Sequence, residues 1–409
     1  MSHAGIFRSL EHRNFRIFFF GQLISLHGTW MQSVAQAWLV YRLTGSGLML
    51  GLTGTATLLP TLLFGLFGGL LADRFSRKKL LIVVQSLAMA QALLLAVLTL
   101  AGWITPWLIV GLALALGMVQ ALETPVRQSF IAQLVPRTAL HNAIGLNSSM
   151  FHMARFVGPA IAGFLVAWVG EGPVFVINAI SFLAVLISLR FVTPIVEVRQ
   201  KNEVNRYKGI WAGVRFARHH ALLGSTLLLV ALTSMFGGAT VILLPMYAGE
   251  IYQHGPQSLG WLMAMLGAGS LFAALRLAKR RDTTNLEKQI AAAAVSMALC
   301  LIVFSNNKLF WVAIAILPLI GFSATSVYAC SNALIQSLVP DQLRGRIMAL
   351  YTVCLHGMVS LGQLALGALT DWITLPLTVL SSAICLLLVG GVAGVVLLRS
   401  GSKNKLTET

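Results

Sequence analysis

The chain has 409 residues, of which 57% are hydrophobic and only 10% charged. An ordinary soluble domain is about a quarter charged, so this composition cannot cover a water-facing surface of such size, and a soluble enzyme is excluded. The net charge of +17 would point to nucleic acid in a soluble protein, but topology accounts for it here, and no nucleic-acid partner is expected.

Only helices and closed barrels satisfy their backbone in lipid, and unbroken apolar runs such as 80–101 and 378–398 lack the alternation of barrel strands. The predicted class is an all-α polytopic membrane protein. Windows of about 20 residues, the length that crosses the hydrocarbon core, give twelve spans at 16–41, 48–71, 80–102, 105–126, 143–168, 173–193, 221–247, 258–278, 287–305, 309–333, 347–370 and 376–398. They divide into two pseudo-symmetric six-helix bundles, 1–194 and 221–399, joined by a charged linker at 195–220 and followed by a tail at 400–409. With a cytoplasmic amino terminus, the inner connections and tails hold 26 of the 29 Lys and Arg, the outer connections hold Arg42 and Lys308, and Arg155 falls within a span. This asymmetry is the positive-inside pattern, placing both termini in the cytoplasm of a cell with the chain in its inner membrane. Arg8, Arg13 and Arg16 precede the first apolar run as in a signal peptide, but that run has no A-x-A-like cleavage site and reads as an uncleaved span.

A shift of 204 residues superimposes AQLVP (132–136) on QSLVP (336–340), and pairs Gly117 with Gly321, His152 with His356, Gly158 with Gly362, Gly163 with Gly367 and Trp168 with Trp372. Duplication of a six-span unit is the simplest account. Parallel repeats of this kind occur in secondary transporters, with substrate held between the halves near the midplane.

In chain order, span 1 carries Gln22, Ser25, Thr29, Gln32, Ser33 and Gln36 within one helical arc. Polar residues facing lipid are costly, so this stripe should meet protein or water. Between spans 2 and 3, Gly69-Leu70-Leu71-Ala72-Asp73-Arg74-Phe75-Ser76-Arg77-Lys78-Lys79 is similar to the G-x-L-a-D-R-x-G-R-K signature of the major facilitator superfamily, with Ser76 in the usual glycine position. A carboxylate at a helix end pairs with a neighbouring helix while arginines pair with other ends or phosphates, which makes Asp73, Arg74 and Arg77 candidates for a cytoplasmic latch. The second half retains charge at Arg276 and 279–282 but not the motif, so the latch is expected to be one-sided. Near the inner end of span 4 lies Glu123, a candidate partner for Arg155.

Span 5 places Gly145, Ala154, Gly158, Pro159, Ala162 and Gly163 in a pattern similar to the superfamily's antiporter signature, with alanine at two glycine positions. Small residues permit close helix packing and Pro159 introduces a bend, so Gly145, Gly158, Pro159 and Gly163 are candidates for helix packing and gating, ordinary packing being the alternative. Weaker polar stripes run through Thr226, Thr233, Gly237 and Thr240 in span 7 and through Gly321, Thr325, Tyr328, Asn332 and Gln336 in span 10.

Spans 1, 4, 7 and 10 line the central cavity in the superfamily that the chain resembles. That resemblance makes Gln22, Ser25, Thr29, Gln32, Gln36, Thr325, Tyr328 and Asn332 candidate substrate contacts; interhelical hydrogen bonding explains the same polarity. Glu123, Arg155, His152 and His356 are candidates for proton coupling, since intramembrane ionisable groups default to functional hypotheses. Cys300, Cys330, Cys354 and Cys385 lie in apolar runs without metal-ligand spacing, so no metal or redox role is expected. The absence of a P-loop, a serine nucleophile and paired catalytic carboxylates predicts no ATP, no cofactor and no enzymatic activity.

SLHGTWMQSVAQAWLVYRLTGSGLMLGL (25–52), LADRFSRKKLL (71–81), ETPVRQSFIAQLVP (123–136) and LVPDQLRGRIMALYT (338–352) resemble the enterobactin exporter-like and macrolide efflux-like permeases of that superfamily. The resemblance implies a major facilitator fold and alternating-access export of a small amphipathic molecule, such as a siderophore, drug or metabolite, in exchange for protons. The expected partners are this solute, the bilayer and the proton, with the chain a monomer. An uptake permease, a lysophospholipid flippase and a non-transporting membrane binding protein remain alternative readings.

Overall fold

The computed structural model describes residues 7–194, 210–278 and 285–407, with the backbone alone described at 66–74, 210–214, 278, 341–342 and 400–407. Among these residues every regular element is helical. The first half builds α1 (Arg13–Thr44), α2 (Gly47–Arg74), α3 (Arg77–Leu100), α4 (Pro106–Ile131), α5 (Arg137–Val169) and α6 (Glu171–Phe191). Within the expected linker, 195–209 lie outside the described residues and a short α7 (Ile210–His219) follows. The second half builds α8 (Ala221–Ile251), α9 (Gly255–Ala278), α10 (Leu286–Ser305), α11 (Phe310–Leu338), α12 (Asp341–Thr352, continuing through Val353–Gly357 to Met358–Leu369) and α13 (Leu375–Thr407).

Helix boundaries follow local chemistry. Gly45, at φ 59°, closes α1 in the left-handed conformation that a glycine adopts without a Cβ penalty. Thr105 accepts the Leu108 N–H at 3.3 Å and Pro106 opens α4, where its missing N–H is not needed. Eleven described helices are long and apolar enough to cross a membrane. The expected twelfth span, α1, falls short by composition because its polar stripe dilutes its hydropathy, yet its 32 residues rise about 48 Å, well beyond the ~30 Å hydrocarbon core.

Two helices of the second half depart from α geometry. In α8, π turns at Thr233–Gly237 and Tyr247–Ile251 flank a 3-10 segment at Gly238–Leu243. The Gly237-Gly238 pair and Pro245, which lacks an N–H, loosen the ladder there. A third π turn interrupts α12 at Val353–Gly357.

The chain forms two compact units, one drawn from Met1–Gly45, Ala56–Asn202 and His254–Ala264, the other from Ser46–Thr55, Glu203–Gln253 and Met265–Thr409. The cut therefore does not follow the midpoint of the sequence. The start of α2 belongs with the second unit, where Thr55 donates to the Ser360 carbonyl at 2.9 Å and Gly51 abuts the Gln363 carbonyl. The start of α9 belongs with the first unit, where a Cβ at Gly163 would stand 2.7 Å from Gly260 Cα.

Each unit uses the repeat in the same way. In the first, α6 packs along α1 and α3, and α4 along α3; in the second, α13 packs along α8 and α10, and α11 along α10. Gly158 seats on Trp30 of α1 while Gly362 seats on Met235 and Ala239 of α8, and Gly117 meets α2 at Thr57 as Gly321 meets α9 at Leu266. Glycine at these four places lets one helix backbone touch another. Asn178 of α6 donates to Gln32 of α1, and 204 residues on, Ser382 of α13 donates to the Phe236 carbonyl of α8. Outside the packing, Trp168 and Trp372 are each 86% exposed, and Trp107 and Trp311, another pair in the same register, are exposed as well. All four sit at helix ends, where amphipathic rings settle at membrane interfaces.

Candidate functional site: a buried ion pair in α4

A charged side chain buried inside the first unit was not singled out by the sequence. Arg127, 3% exposed, lies within α4 because the helix runs on through Pro125 to Ile131 instead of ending at 126. Its Nε donates to Glu123 Oε1 at 2.7 Å, its Nη1 donates to Asn147 Oδ1 of α5 at 3.2 Å, and its guanidinium stands 4.2 Å from the Phe151 ring centroid. An acid one turn before a base on the same helix is the favourable order for an ion pair. A buried guanidinium needs such partners, since an unpaired charge in this setting costs several kcal/mol.

This geometry corrects the expected pairing of Glu123 with Arg155. Glu123 is taken by Arg127, one turn away, while the Arg155 guanidinium lies 5.7 Å from the Trp30 ring centroid of α1. It also corrects the reading that Arg155 is the single cation within a span. His152, half-buried, sits nearly one turn before Arg155 on α5.

The span 1 stripe divides by purpose. Gln32 accepts from Asn178 of α6 at 2.6 Å and donates to Gln91 of α3 at 3.1 Å, and Gln91 donates on to the Leu112 carbonyl of α4 at 3.3 Å. Gln32 is therefore a structural link across four helices and not a free substrate contact. Ser25 is buried, next to Gly28, which abuts Ser181 and Asn178. Thr29, half-buried, returns its hydroxyl to the Ser25 carbonyl at 3.0 Å, and Gln36 is buried. Gln22 is buried with its Oε1 lacking a hydrogen-bond partner among the described residues.

Among the packing candidates, Gly158, Pro159 and Gly163 are buried. Gly145 is exposed and a Cβ there would meet nothing within 4 Å, so it is not a packing glycine. Of the latch candidates, Asp73 and Arg74 end α2 with side chains outside the described residues, and Arg77 opens α3 half-buried. The neighbouring Lys78 donates from Nζ to the Val192 carbonyl at 2.7 Å, capping the end of α6 with a cation as the helix dipole favours.

In the second unit, Thr325, Tyr328 and Asn332 of α11 are half-buried. Tyr351 of α12 donates to the Tyr328 carbonyl at 2.9 Å, the Tyr328 hydroxyl stands where a Cβ at Gly238 of α8 would come within 2.7 Å, and Asn332 accepts from Gln336 at 2.6 Å. His356 lies in the π turn of α12, its carbonyl accepting from Ser360 at 3.0 Å. Thr233 and Ser234, in the first π turn of α8, and Ser331 of α11 have buried hydroxyls without a partner among the described residues. Arg276 lines a cavity of about 280 Å³ between α9, α10 and α11 with Gln289 and Ser326, its guanidinium 5.6 Å from the Phe322 ring centroid.

The residues missed from sequence are Arg127, Asn147, Asn178 and Gln91. The i, i+4 spacing of Glu123 and Arg127 in ETPVR was the available signal for the first. The amides gave none, because a single Asn or Gln in an apolar span does not reveal its partner.

Among the described residues, two repeated sets of six long helices with a buried ion pair and polar helix faces define a membrane transporter of the major facilitator type. Residues 4–408 match the family described as transmembrane secretion effector, and the chain belongs to it. Among curated relatives, the staphyloferrin A transporter of Staphylococcus aureus is 24% identical over 361 residues, covering 87% of this chain and 89% of that protein. The enterobactin exporter EntS of Escherichia coli O1:K1 / APEC is 24% identical over 392 residues, covering 93% and 90%. Among solved structures, the nucleoside transporter NupG superposes with a TM-score of 0.69 at 14% identity, covering 96% of this chain and 99% of that one, which concerns the fold alone.

Proposed function

We propose that the chain exports a small amphipathic organic solute across the inner membrane by alternating access, with the Glu123–Arg127–Asn147 cluster as its proton-responsive element. The observation that carries the coupling is the 2.7 Å pair of a half-buried carboxylate with a guanidinium that is almost wholly buried within a span. A proton taken up by Glu123 cancels one side of the pair and leaves the Arg127 charge on Asn147 and Phe151 alone, a change that biases one conformation over another. Export is supported by the family and by the printed names of the relatives above, and a siderophore, drug or metabolite is the proposed cargo. The distribution of Lys and Arg supports a cytoplasmic side for both termini, and the chain is proposed to work as a monomer.

Gln22, Thr29, Gln36, Thr325, Tyr328 and Asn332 are the proposed solute contacts, Gln22 because its buried acceptor is unspent among the described residues. Asp73, Arg74 and Arg77 are proposed as the latch that sets the rate of interconversion, so Asp73→Asn should lower turnover more than solute binding; equal loss of both removes the latch.

The coupling is tested in liposomes holding the purified full chain, with solute flux measured under an imposed pH gradient. Wild-type flux should follow the gradient and Glu123→Gln flux should not. Gradient-dependent flux in Glu123→Gln removes this carboxylate from coupling, and unchanged solute accumulation in both deletion and overexpression strains overturns export itself.

A further inference from the structure

Asn147, Phe151 and Arg155 recur every fourth residue along α5, so they share one face of that helix, and all three are half-buried. Leu146, Met150, Ala154 and Gly158, on the adjoining face, are buried. Gly158 brings α1 close, since a Cβ there would stand 2.7 Å from Trp30 Cβ. The Arg155 guanidinium accordingly lies 5.7 Å from the Trp30 ring centroid, and one turn earlier the Phe151 centroid lies 4.2 Å from the Arg127 guanidinium. Phe19, Trp30 and Phe151 gather on Leu26, Met150 and Ala154. Guanidinium and flat aromatic surface therefore alternate along one strip of the first unit.

This strip carries net positive charge. Among the described residues Glu123 is the one carboxylate that stands away from a helix end, and Arg127 holds it at 2.7 Å. Arg155 then leaves the interior of the first unit with one positive charge in excess. Stacking on Trp30 spends none of the Arg155 N–H donors, and a carboxylate takes a pair of them side by side, so a ligand adds to whatever Arg155 meets inside the chain. A cationic solute would meet like charge here, and a neutral one gains nothing from the excess. The ring faces of Trp30 and Phe151 complement a flat apolar body.

We propose that the strip shared by α1 and α5 is the subsite for an organic anion. The cargo carries a carboxylate that pairs with Arg155 and an aromatic or conjugated ring that lies against Trp30 and Phe151. The strip deepens the export reading and rests on it for the direction of movement, whereas binding of the anion does not depend on flux.

Equilibrium titration of the detergent-purified full chain tests this with three probes that share one ring system: 2-naphthoate, 2-naphthamide and 2-naphthylmethylammonium. The acid should bind about tenfold or more tighter than the amide, the scale of a hydrogen bond to a charged group, and the ammonium should bind weakest. Arg155→Gln should bring the acid to within about twofold of the amide and leave the amide unchanged. Arg155→Lys should keep part of the preference, because it restores charge without the paired donors. Trp30→Leu should weaken acid and amide alike. Equal affinity for acid and amide in the wild type, no measurable binding of the acid, or an undiminished preference in Arg155→Gln overturns the proposal. A melting temperature lowered in Arg155→Gln with the preference intact does so too, since it makes the arginine structural. The titration uses no gradient, so its failure is separate from that of the flux assay: a chain that binds the acid through Arg155 and moves no solute overturns export and leaves the subsite standing.

Discussion

The two halves of the repeat share their packing and differ in their chemistry. In the register of 204 residues, Glu123, Arg127, Asn147 and Phe151 of the first half correspond to Val327, Ser331, Tyr351 and Leu355 of the second. Where the first half buries an ion pair, the second buries a neutral hydroxyl without a partner among the described residues. The helices show the reverse contrast. In the first half, α1 and α5 are unbroken, whereas their counterparts α8 and α12 carry π turns. Such turns recur at functional sites because they re-aim side chains and loosen the backbone ladder. Duplication has preserved the glycine contacts that hold each six-helix set, while the buried Glu123–Arg127 pair stands in one copy and the backbone irregularity in the other.

Substitutions at paired positions break or sharpen this contrast. The largest effect is expected at Arg127→Ala, which leaves Glu123 without its cation and should cost about 3–5 kcal/mol, seen as earlier thermal unfolding of detergent-purified protein. An unshifted transition there would show that the first unit does not depend on its charge. Asn178→Ala should follow at about 1–3 kcal/mol, because it strands the buried Gln32 carbonyl. Its counterpart Ser382→Ala should cost only about 1 kcal/mol, a single ordinary hydrogen bond to backbone; equal losses at the two positions would erase the distinction between them. Arg42→Gln breaks a bidentate pair with Glu171 whose arginine is half exposed, for which about 0.2–1 kcal/mol is expected in the same melts. The helix dipole softens that loss, since Glu171 is the first residue of α6. Smallest of all, Ser331→Ala removes a buried hydroxyl that has no partner among the described residues, and unfolding should be unchanged or slightly later.

Much of the fold was legible because lipid imposes long apolar runs and the repeat leaves identities at a fixed interval. The first span was legible for the opposite reason: its glutamines and serines mark a face turned away from lipid, although they lower its hydropathy. What each polar residue does was less legible. Gln32 and Thr29 belong to one stripe, yet Gln32 links helices through Asn178 and Gln91 while Thr29 folds back on its own helix. Sequence periodicity fixes a direction around one helix and says nothing of the amide across from it. Gly145 misled for a similar reason, since glycine spacing resembles a packing motif whether or not a helix lies opposite. Arg127 was hidden because a cation just past a proline reads as the start of a loop, whereas Pro125 stands inside α4.

The exposed tryptophans have a practical consequence. The chain holds nine tryptophans, and Trp103, Trp107, Trp168, Trp311 and Trp372 are all more than two-thirds uncovered at helix ends. Indole emission from this protein should therefore report mainly on polarity at the headgroup layer. Lipids brominated at successive carbons along their tails would quench it most near the glycerol end, turning the native chromophores into a built-in ruler of immersion depth.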